Sequence, residues 1–224
     1  MLTGSGRDKI GLAVDVYNQL ANSLMSGALS PGSRLKIRDL ADQMGVSVTP
    51  VRDAVLRLVN NGGLLFQSPR DIRVPVLERA RYLEIRSIRM ELEGLAAEQA
   101  AIYATTEDIA FLEALLQENE KALEASDYQQ CLRMNQRFHF ALCEIGNMPI
   151  LRELLENLWL QMGPLISSGY REGGRTMIEH HYSVVEAIKN ADGTAARGAI
   201  RKDILEGGKV LLLRGVLSAQ SNPE

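Results

Sequence analysis

Apolar residues in the first third of the chain follow a helical period. The first run predicts an amphipathic helix from Asp8 that ends near Gly27. Its apolar positions recur every four residues: Leu12, Val16, Leu20 and Leu24. A turn at 30–33 separates it from a short helix over Ile37–Met44, which Gly45 closes, as a glycine does just after a helix C-terminus.

A third helix and a hairpin follow. Ser47 can cap the N-terminus of this helix, and Pro50 falls in its first turn, where the missing N–H is harmless. The helix is expected to run to about Asn60. Two short apolar runs at 64–66 and 72–74 predict the strands of a small β-hairpin, and a proline then marks a linker.

The remainder of the chain has a helical pattern, broken by short polar or glycine-containing turns. The predicted helices cover 78–103, 106–125, 128–145, 149–169, 172–190 and 194–217. Short connections make neighbouring helices antiparallel. The sequence therefore predicts a mainly α protein, with a winged helix-turn-helix domain over 8–76 and an antiparallel bundle of six to seven helices over 77–217.

Charge divides the chain at the same place. Residues 1–76 carry a net charge of +3 and residues 77–224 a net charge of −6. A basic front and an acidic rear are typical of a DNA-binding head on a body that does not touch DNA. No apolar run approaches the roughly 20 residues that span a bilayer, and no secretory signal is present, so a cytoplasmic protein is expected.

Two cysteines, Cys131 and Cys143, do not indicate a disulfide framework. Both fall in one predicted helix, about 18 Å apart along its axis, which is too far for a bridge. Reduced thiols are the simplest interpretation, in agreement with a cytoplasmic protein.

The order of elements in the first domain predicts DNA binding. In a helix-turn-helix the second helix enters the major groove with its N-terminal residues near the base edges. Hydroxyls and N–H groups there suit phosphate, and a guanidinium can pair with guanine. The residues expected at the DNA are Arg38, Ser47, Val48, Thr49, Arg52 and, on the wing, Arg70. The alternative is a three-helix domain with scattered arginines.

Three stretches in this domain strongly resemble the GntR family of bacterial regulators. They are Gly27–Leu35, Arg38–Ala41 and Met44–Leu58, which together extend over much of the domain. The resemblance implies that Arg38, Arg52 and the hydroxyls of Ser47 and Thr49 meet the operator. Valine at position 48 departs from the family, which usually has an arginine there, and the wing tip at 67–70 lacks the expected glycines.

Histidines in the second half suggest a metal site. Asn135 and His139 are four residues apart, hence on one helix face, His181 begins another helical stretch, and Asp203 lies 22 residues later. Two imidazoles with oxygen ligands suit a divalent transition metal such as zinc, nickel or manganese. A histidine on a helix can equally be an ordinary core or surface residue. The helical phase favours His181 over His180 as the inward-facing residue.

Residues 78–217 resemble the FCD ligand-binding domain of the FadR-type branch of that family. The motifs that carry this resemblance are Glu84–Arg86, Arg89, Leu92–Gly94, Asn135–His139, Gly146–Asn147, His181 and Val184–Ile188. The resemblance implies a metal held at the positions of Asn135, His139, His181 and Asp203. The last of these is usually a histidine, so Asp203 either replaces it as a ligand or pairs with an arginine instead.

An effector is expected in the same domain. Arg86 or Arg89 can pair with a small carboxylate in the bundle, or can be solvated or paired with Glu91 or Glu93. No nucleophile with a base partner stands out, so no enzyme is expected. The sequence therefore predicts a homodimeric regulator of double-stranded operator DNA, a repressor controlled by an organic acid. The alternatives are a metal-dependent helical enzyme and an interaction module that carries a winged domain.

Overall fold

A computed structural model describes residues 4–68, 70–213 and 217 of the chain. The predicted mainly α fold is confirmed. Its helices are α1 (Gly4–Met25), α2 (Ile37–Met44), α3 (Val48–Asn60), α4 (Arg79–Tyr103), α5 (Thr106–Glu124), α6 (Tyr128–Ile145), α7 (Pro149–Gly173), α8 (Glu179–Lys189) and α9 (Gly193–Leu213). A short 3-10 helix over Gly174–Met177 joins α7 to α8. The predicted continuation of the last helix through 214–216 lies outside the described residues.

A small sheet completes the first domain. Its strands are β1 (Arg34–Leu35), β2 (Leu65–Ser68) and β3 (Asp71–Arg73), in the antiparallel order β1-β3-β2. The hairpin of β2 and β3 is the predicted wing, with an irregular register between Phe66 and Ser68. The strand β1 was not predicted, because two residues are too few to establish an alternating pattern.

Local sequence explains where several helices end. Gly45 has the left-handed φ of 66° that favours glycine, and its N–H bonds to the Ala41 and Asp42 carbonyls, which closes α2. Thr105 and Asp108 form a reciprocal capping box at the start of α5. Pro50 lies in the first turn of α3, as predicted, and Pro149 is the first residue of α7.

One core runs through both parts of the molecule. In the first part α1 packs on α3, and in the second α9 packs on α4 and α8, while α6 packs on α5, α7 and α4. The two parts meet where α1 contacts α7. A Cβ at Gly163 of α7 would lie 2.6 Å from the Leu24 carbonyl oxygen, so only glycine lets the two helices approach this closely. Within the described residues, no helix has the length and apolar character that crossing a bilayer requires.

Candidate nucleic-acid interface and candidate metal centre

The N-terminus of α3 is exposed. Ser47 is the residue before the helix, and its hydroxyl makes no capping hydrogen bond. Val48 and Thr49, the first two residues of α3, are also exposed, with 36% of Val48 accessible. The other face of α3 is buried through Val51, Val55 and other apolar residues. The helix therefore presents a polar tip with unbonded hydroxyls and free first-turn N–H groups, which suit phosphate and base edges.

Three arginines predicted to contact DNA are exposed in the same domain. Arg38 on α2, Arg52 on α3 and Arg70 in the turn before β3 are all exposed, and within the described residues none of them forms an ion pair. The wing's other arginine differs, since Arg73 donates to Asp71 and to the Gly32 carbonyl. Charges that lack a protein partner remain available for an anionic ligand.

Three predicted metal ligands meet in the core of the second domain. His139 of α6, His181 of α8 and Asp203 of α9 are 2%, 0% and 5% exposed, and their ligand atoms lie within 4.8 Å of one another. The two Nε2 atoms are 3.4 Å apart, and Asp203 Oδ2 lies 3.5 Å from His139 Nε2 and 3.4 Å from His181 Nε2. Phe138 stacks on the His181 ring at 4.2 Å and fixes its plane.

The distances between the three ligand atoms can be compared with those expected around a bound metal ion. Four tetrahedral ligands bonded at about 2.1 Å lie about 3.4 Å from one another. Two imidazole nitrogens and one carboxylate oxygen form a donor set typical of zinc and related divalent ions. Asp203 Oδ1 is buried and has no hydrogen-bond partner among the described residues. The three residues therefore fit a divalent metal in both spacing and chemistry.

The remaining predicted ligand and the neighbouring histidine lie nearby. Asn135 is buried one turn before His139, and its Nδ2 donates to the Met177 carbonyl at 3.4 Å. Asn135 lines the same cavity as His139 and Asp203. His180 lies outside this group, since its Nε2 is 3.7 Å from the Glu179 carboxylate.

Sequence reasoning missed one partner of the histidines. Glu93 of α4 is fully buried and contacts His139 Nδ1 through Oε2. Its other oxygen, Oε1, accepts a hydrogen bond of 2.6 Å from Nε of Arg89, also on α4. The pairing of Arg89 with Glu93 was one of the predicted alternatives, because the two are four residues apart on a helix. Nothing in the sequence connects Glu93 to a histidine 46 residues away.

The charged groups of the cluster shift the pKa values of one another. Burial opposes the charged forms of Asp203 and His139, but their mutual attraction and their other partners outweigh it. The charge of His181 and contacts with His139 hold the pKa of Asp203 below its usual range. The charge of Glu93, together with contacts with Asp203, raises the pKa of His139. Protons and a metal ion therefore compete for the same nitrogens.

The two predicted effector arginines border a narrow cavity beside this cluster. The cavity has a volume of about 30 Å³, and Arg86, Arg89, His139 and Asp203 line it together with Met162 and Ile166 of α7. The Arg89 guanidinium lies 4.6 Å above the ring of Trp159, a fully buried core residue. Nε of Arg86 is buried and has no hydrogen-bond partner among the described residues.

A winged helix-turn-helix with a free polar tip, joined to a helical domain with a buried ligand cluster, defines a DNA-binding transcriptional regulator with a regulatory domain. Two family models match the chain. Residues 12–74 match the bacterial regulatory proteins of the gntR family, and residues 84–205 match the FCD domain. The chain belongs to the GntR family, in the branch with a C-terminal FCD domain.

Relatives agree with this class. The chain is 37% identical to the HTH-type transcriptional regulator McbR of Escherichia coli K12, over 88% of this chain and 91% of McbR. It is 31% identical to the HTH-type regulator YdhC of Bacillus subtilis, over 81% and 82% of the two chains. The solved structure of E. coli McbR/YncC superposes with a TM-score of 0.84 at 35% identity, over 91% of this chain and 98% of that one. The relatives are named as regulators, so they do not favour the alternative of an enzyme.

Proposed function

We propose that the polar tip of α3 reads operator DNA. Ser47, Thr49 and Arg52 would contact phosphates and base edges in the major groove, with Val48 against a thymine methyl. Arg38 and Arg70 would bind the backbone on either side. The observation that carries this proposal is that the tip and its arginines are exposed and unpaired within the described residues, whereas the other face of α3 is buried.

The DNA-binding unit is residues 8–76 and the regulatory unit residues 77–217. The net charges of +3 on residues 1–76 and −6 on the rest support this division, since the positive part would face DNA and the negative part would stay clear of it. The protein acts in the cytoplasm, where operator DNA is found and thiols stay reduced.

The operator contact is tested with two arginines of the same helix. We expect Arg52→Ala to weaken specific binding by about 1–3 kcal/mol, because it removes a base contact. Arg57→Ala is the control: it removes the same charge from α3 but five residues further along the helix, where its guanidinium lies over the Tyr17 ring at 4.2 Å. Gel shifts on the operator and on unrelated DNA of the same length measure both variants. Equal losses for the two variants on both DNAs would contradict base reading by Arg52.

The regulator acts as a homodimer on a palindromic operator, since the two-fold symmetry of the protein then matches that of the DNA. An apolar stripe supports this proposal. Ile88, Leu95 and Ile102 recur every seven residues on α4 and are 36–60% exposed, and Ile150 and Leu154 of the adjacent α7 are 75% and 52% exposed. A second copy that laid the same stripe on this one would bury both.

Sedimentation tests the dimer. We expect Leu154→Asp to sediment as a monomer and to lose operator affinity, because a charge in the stripe would be desolvated by the partner. Phe111→Asp is the control, since Phe111 is 41% exposed on α5, away from both helices of the stripe. A Leu154→Asp protein that remains dimeric would exclude this interface.

The regulatory domain holds a divalent transition metal, with zinc, nickel or manganese as candidates. His139, His181 and Asp203 would ligate it, with Asn135 beside them. A bound ion would supply a fixed positive charge that accepts a carboxylate ligand. The spacing of 3.4–3.5 Å between the three ligand atoms supports this proposal. Elemental analysis of the purified protein tests it, and less than a tenth of an equivalent of any divalent transition metal, before and after zinc addition, would contradict it.

The effector is a small carboxylate that Arg86 and Arg89 help to bind. A cavity of about 30 Å³ has room for about two water molecules, so an acid of several atoms requires its walls to separate. Helix α7 forms one of those walls through Met162 and Ile166. It also contacts α1 of the DNA-binding unit, residues 8–76, which we call the head. Effector binding would therefore favour a second arrangement of the heads and release the operator, as in a repressor.

A further inference from the structure

The side chain of Glu93 connects two parts of the buried site. Its Oε1 accepts from Nε of Arg89 at 2.6 Å, and its Oε2 contacts Nδ1 of His139. Glu93 is fully buried and Arg89 is 5% exposed, so water does not compete for these bonds. The three residues form a chain that runs from the cavity wall at Arg89 to the ligand cluster at His139.

This chain determines which nitrogen of His139 carries the proton. An ionised carboxylate only accepts hydrogen bonds, so Nδ1 of His139 must donate to Glu93. The lone pair of the neutral ring is then on Nε2, the atom that lies 3.4 Å from His181 Nε2 and 3.5 Å from Asp203 Oδ2. Carboxylates that bind the second nitrogen of a metal-ligating histidine fix its tautomer and orientation in this way.

We propose that Glu93 is a positioning residue of the metal centre, which holds His139 in the tautomer that can ligate, and that Arg89 makes this possible by occupying the other carboxylate oxygen. This inference rests on the metal centre proposed above. Arg89 is a permanent donor, because a guanidinium keeps its charge at any relevant pH and accepts no hydrogen bond. The orientation of Glu93 is therefore set from the Arg89 side.

Glu93→Gln separates positioning from mere packing, because glutamine has the same shape but one donor end and one acceptor end. Arg89 can only donate, so the amide oxygen must face Arg89 and the amide NH₂ must face His139 Nδ1. His139 then has to accept at Nδ1 and carry its proton on Nε2, which blocks the metal. We expect the affinity for Co²⁺ to fall by about 10- to 100-fold.

A second variant reverses the effect. In Arg89→Met/Glu93→Gln, residue 89 no longer donates a hydrogen bond to the amide oxygen of residue 93. That oxygen can then face His139 and accept a hydrogen bond from Nδ1 again. We expect Co²⁺ affinity to recover by several-fold relative to Glu93→Gln alone, although a further residue has been changed. A merely structural role of Glu93 predicts the opposite, since the double variant removes more native contacts. In Glu93→Gln the buried Arg89 guanidinium loses its carboxylate partner, whereas the double variant has no charge at position 89. The double variant therefore still tests the proposal if the single variant does not fold.

The experiment titrates Co²⁺ into the full-length metal-free proteins and follows its visible absorption. In parallel, ¹⁵N chemical shifts of His139 in the metal-free state, at a pH where the ring is neutral, report the protonated nitrogen, which we expect on Nδ1 in the wild type and the double variant and on Nε2 in Glu93→Gln. The matched control is Glu91→Gln on the same helix, where Glu91 is exposed and pairs with Arg197 and Arg201. This control should bind Co²⁺ like the wild type.

Two outcomes would overturn the inference for different reasons. If the Co²⁺ affinity of Glu93→Gln is within about twofold of the wild type and that of His181→Ala is much lower, the metal centre is supported and the positioning role is wrong. If the wild type itself binds no Co²⁺, the proposed metal centre fails and the inference fails with it. A weakened Glu93→Gln that the double variant partly restores, with the ¹⁵N shifts as expected, supports it.

Discussion

The head of this regulator and its body, the regulatory unit of residues 77–217, place their candidate functional residues in opposite environments. In the head, Arg38 and Arg52 are exposed and make no ion pair within the described residues. In the body, His181 and Glu93 are fully buried, Glu93 is paired with Arg89 and His139, and His181 lies beside Asp203. One site is arranged for a large anionic partner that arrives from outside, and the other for a small ligand enclosed by helices.

The two sites also differ in how they are assembled. The head's tip follows from one short segment, since residues 47–52 carry both the turn and the contact side chains. The body's cluster requires α4, α6, α8 and α9 to pack together before any of its residues meet. Changes at the tip should therefore alter binding without affecting stability, whereas changes in the cluster should affect ligand binding and packing together.

The largest effect is expected in the cluster. His181→Ala removes one of three ligands, so we expect zinc affinity to fall by more than about 100-fold, beyond the loss caused by a supporting residue. With both proteins metal-free, operator affinity should equal that of the wild type, because the tip of α3 is unchanged. Isothermal titration with zinc and gel shifts in the presence of chelator measure the two quantities. A variant that binds zinc normally would remove His181 from the site.

The sequence predicted the head more completely than the body. Helix ends at Gly45 and Pro149 and the hairpin wing follow from local residue chemistry, and the structure confirms the fold class. The chemistry of His139, His181 and Asp203 suggested a metal site, and resemblance to a family supported their grouping, but no spacing rule connects residues 42 and 22 positions apart on separate helices. Glu93 as a partner of His139 was beyond sequence reasoning, since that contact depends on how α4 packs on α6.

The second prediction concerns the joint between the two regions. Gly163→Ala would place a methyl group 2.6 Å from the Leu24 carbonyl oxygen and the Met25 Cα, so α1 or α7 must shift. We expect a loss of about 1–3 kcal/mol in the free energy of unfolding, as for other overpacked sites. Gly198→Ala on α9 is the control, because a Cβ there meets nothing within 4 Å and alanine favours helix by about 0.5–1 kcal/mol.

Thermal or urea unfolding measures both glycine variants. If Gly163→Ala is as stable as Gly198→Ala, the head is not held against α7 in solution. The proposed route from the effector cavity to the head would then lose its structural basis, since α7 is the helix that borders both.

The third prediction adds a charge to the exposed tip. Val48→Arg introduces a cation at a position that is 36% exposed and flanked by Ser47 and Thr49. We expect operator affinity to rise by about tenfold at low salt, and the slope of log affinity against log salt to steepen by about 0.9, as for one more phosphate contact. Val48→Leu is the control. An unchanged salt slope would mean that an arginine side chain at position 48 does not reach the DNA.

The smallest effect is expected at the thiols of the body. Cys143 is 1% exposed on α6, one turn after His139, and its Sγ lies 3.9 Å from the His139 carbonyl oxygen. Burial, together with the negative charge of Glu93, raises the pKa of Cys143 to about 12. A thiol with that pKa is almost entirely protonated at pH 8, and the protonated form is unreactive. We expect neither cysteine to react with a thiol reagent in the native protein within hours, and both to react in denaturant. Because Cys143 shares its helix with His139, rapid labelling would show that α6 opens readily, and the body's cluster would then form only when a ligand binds rather than standing preassembled.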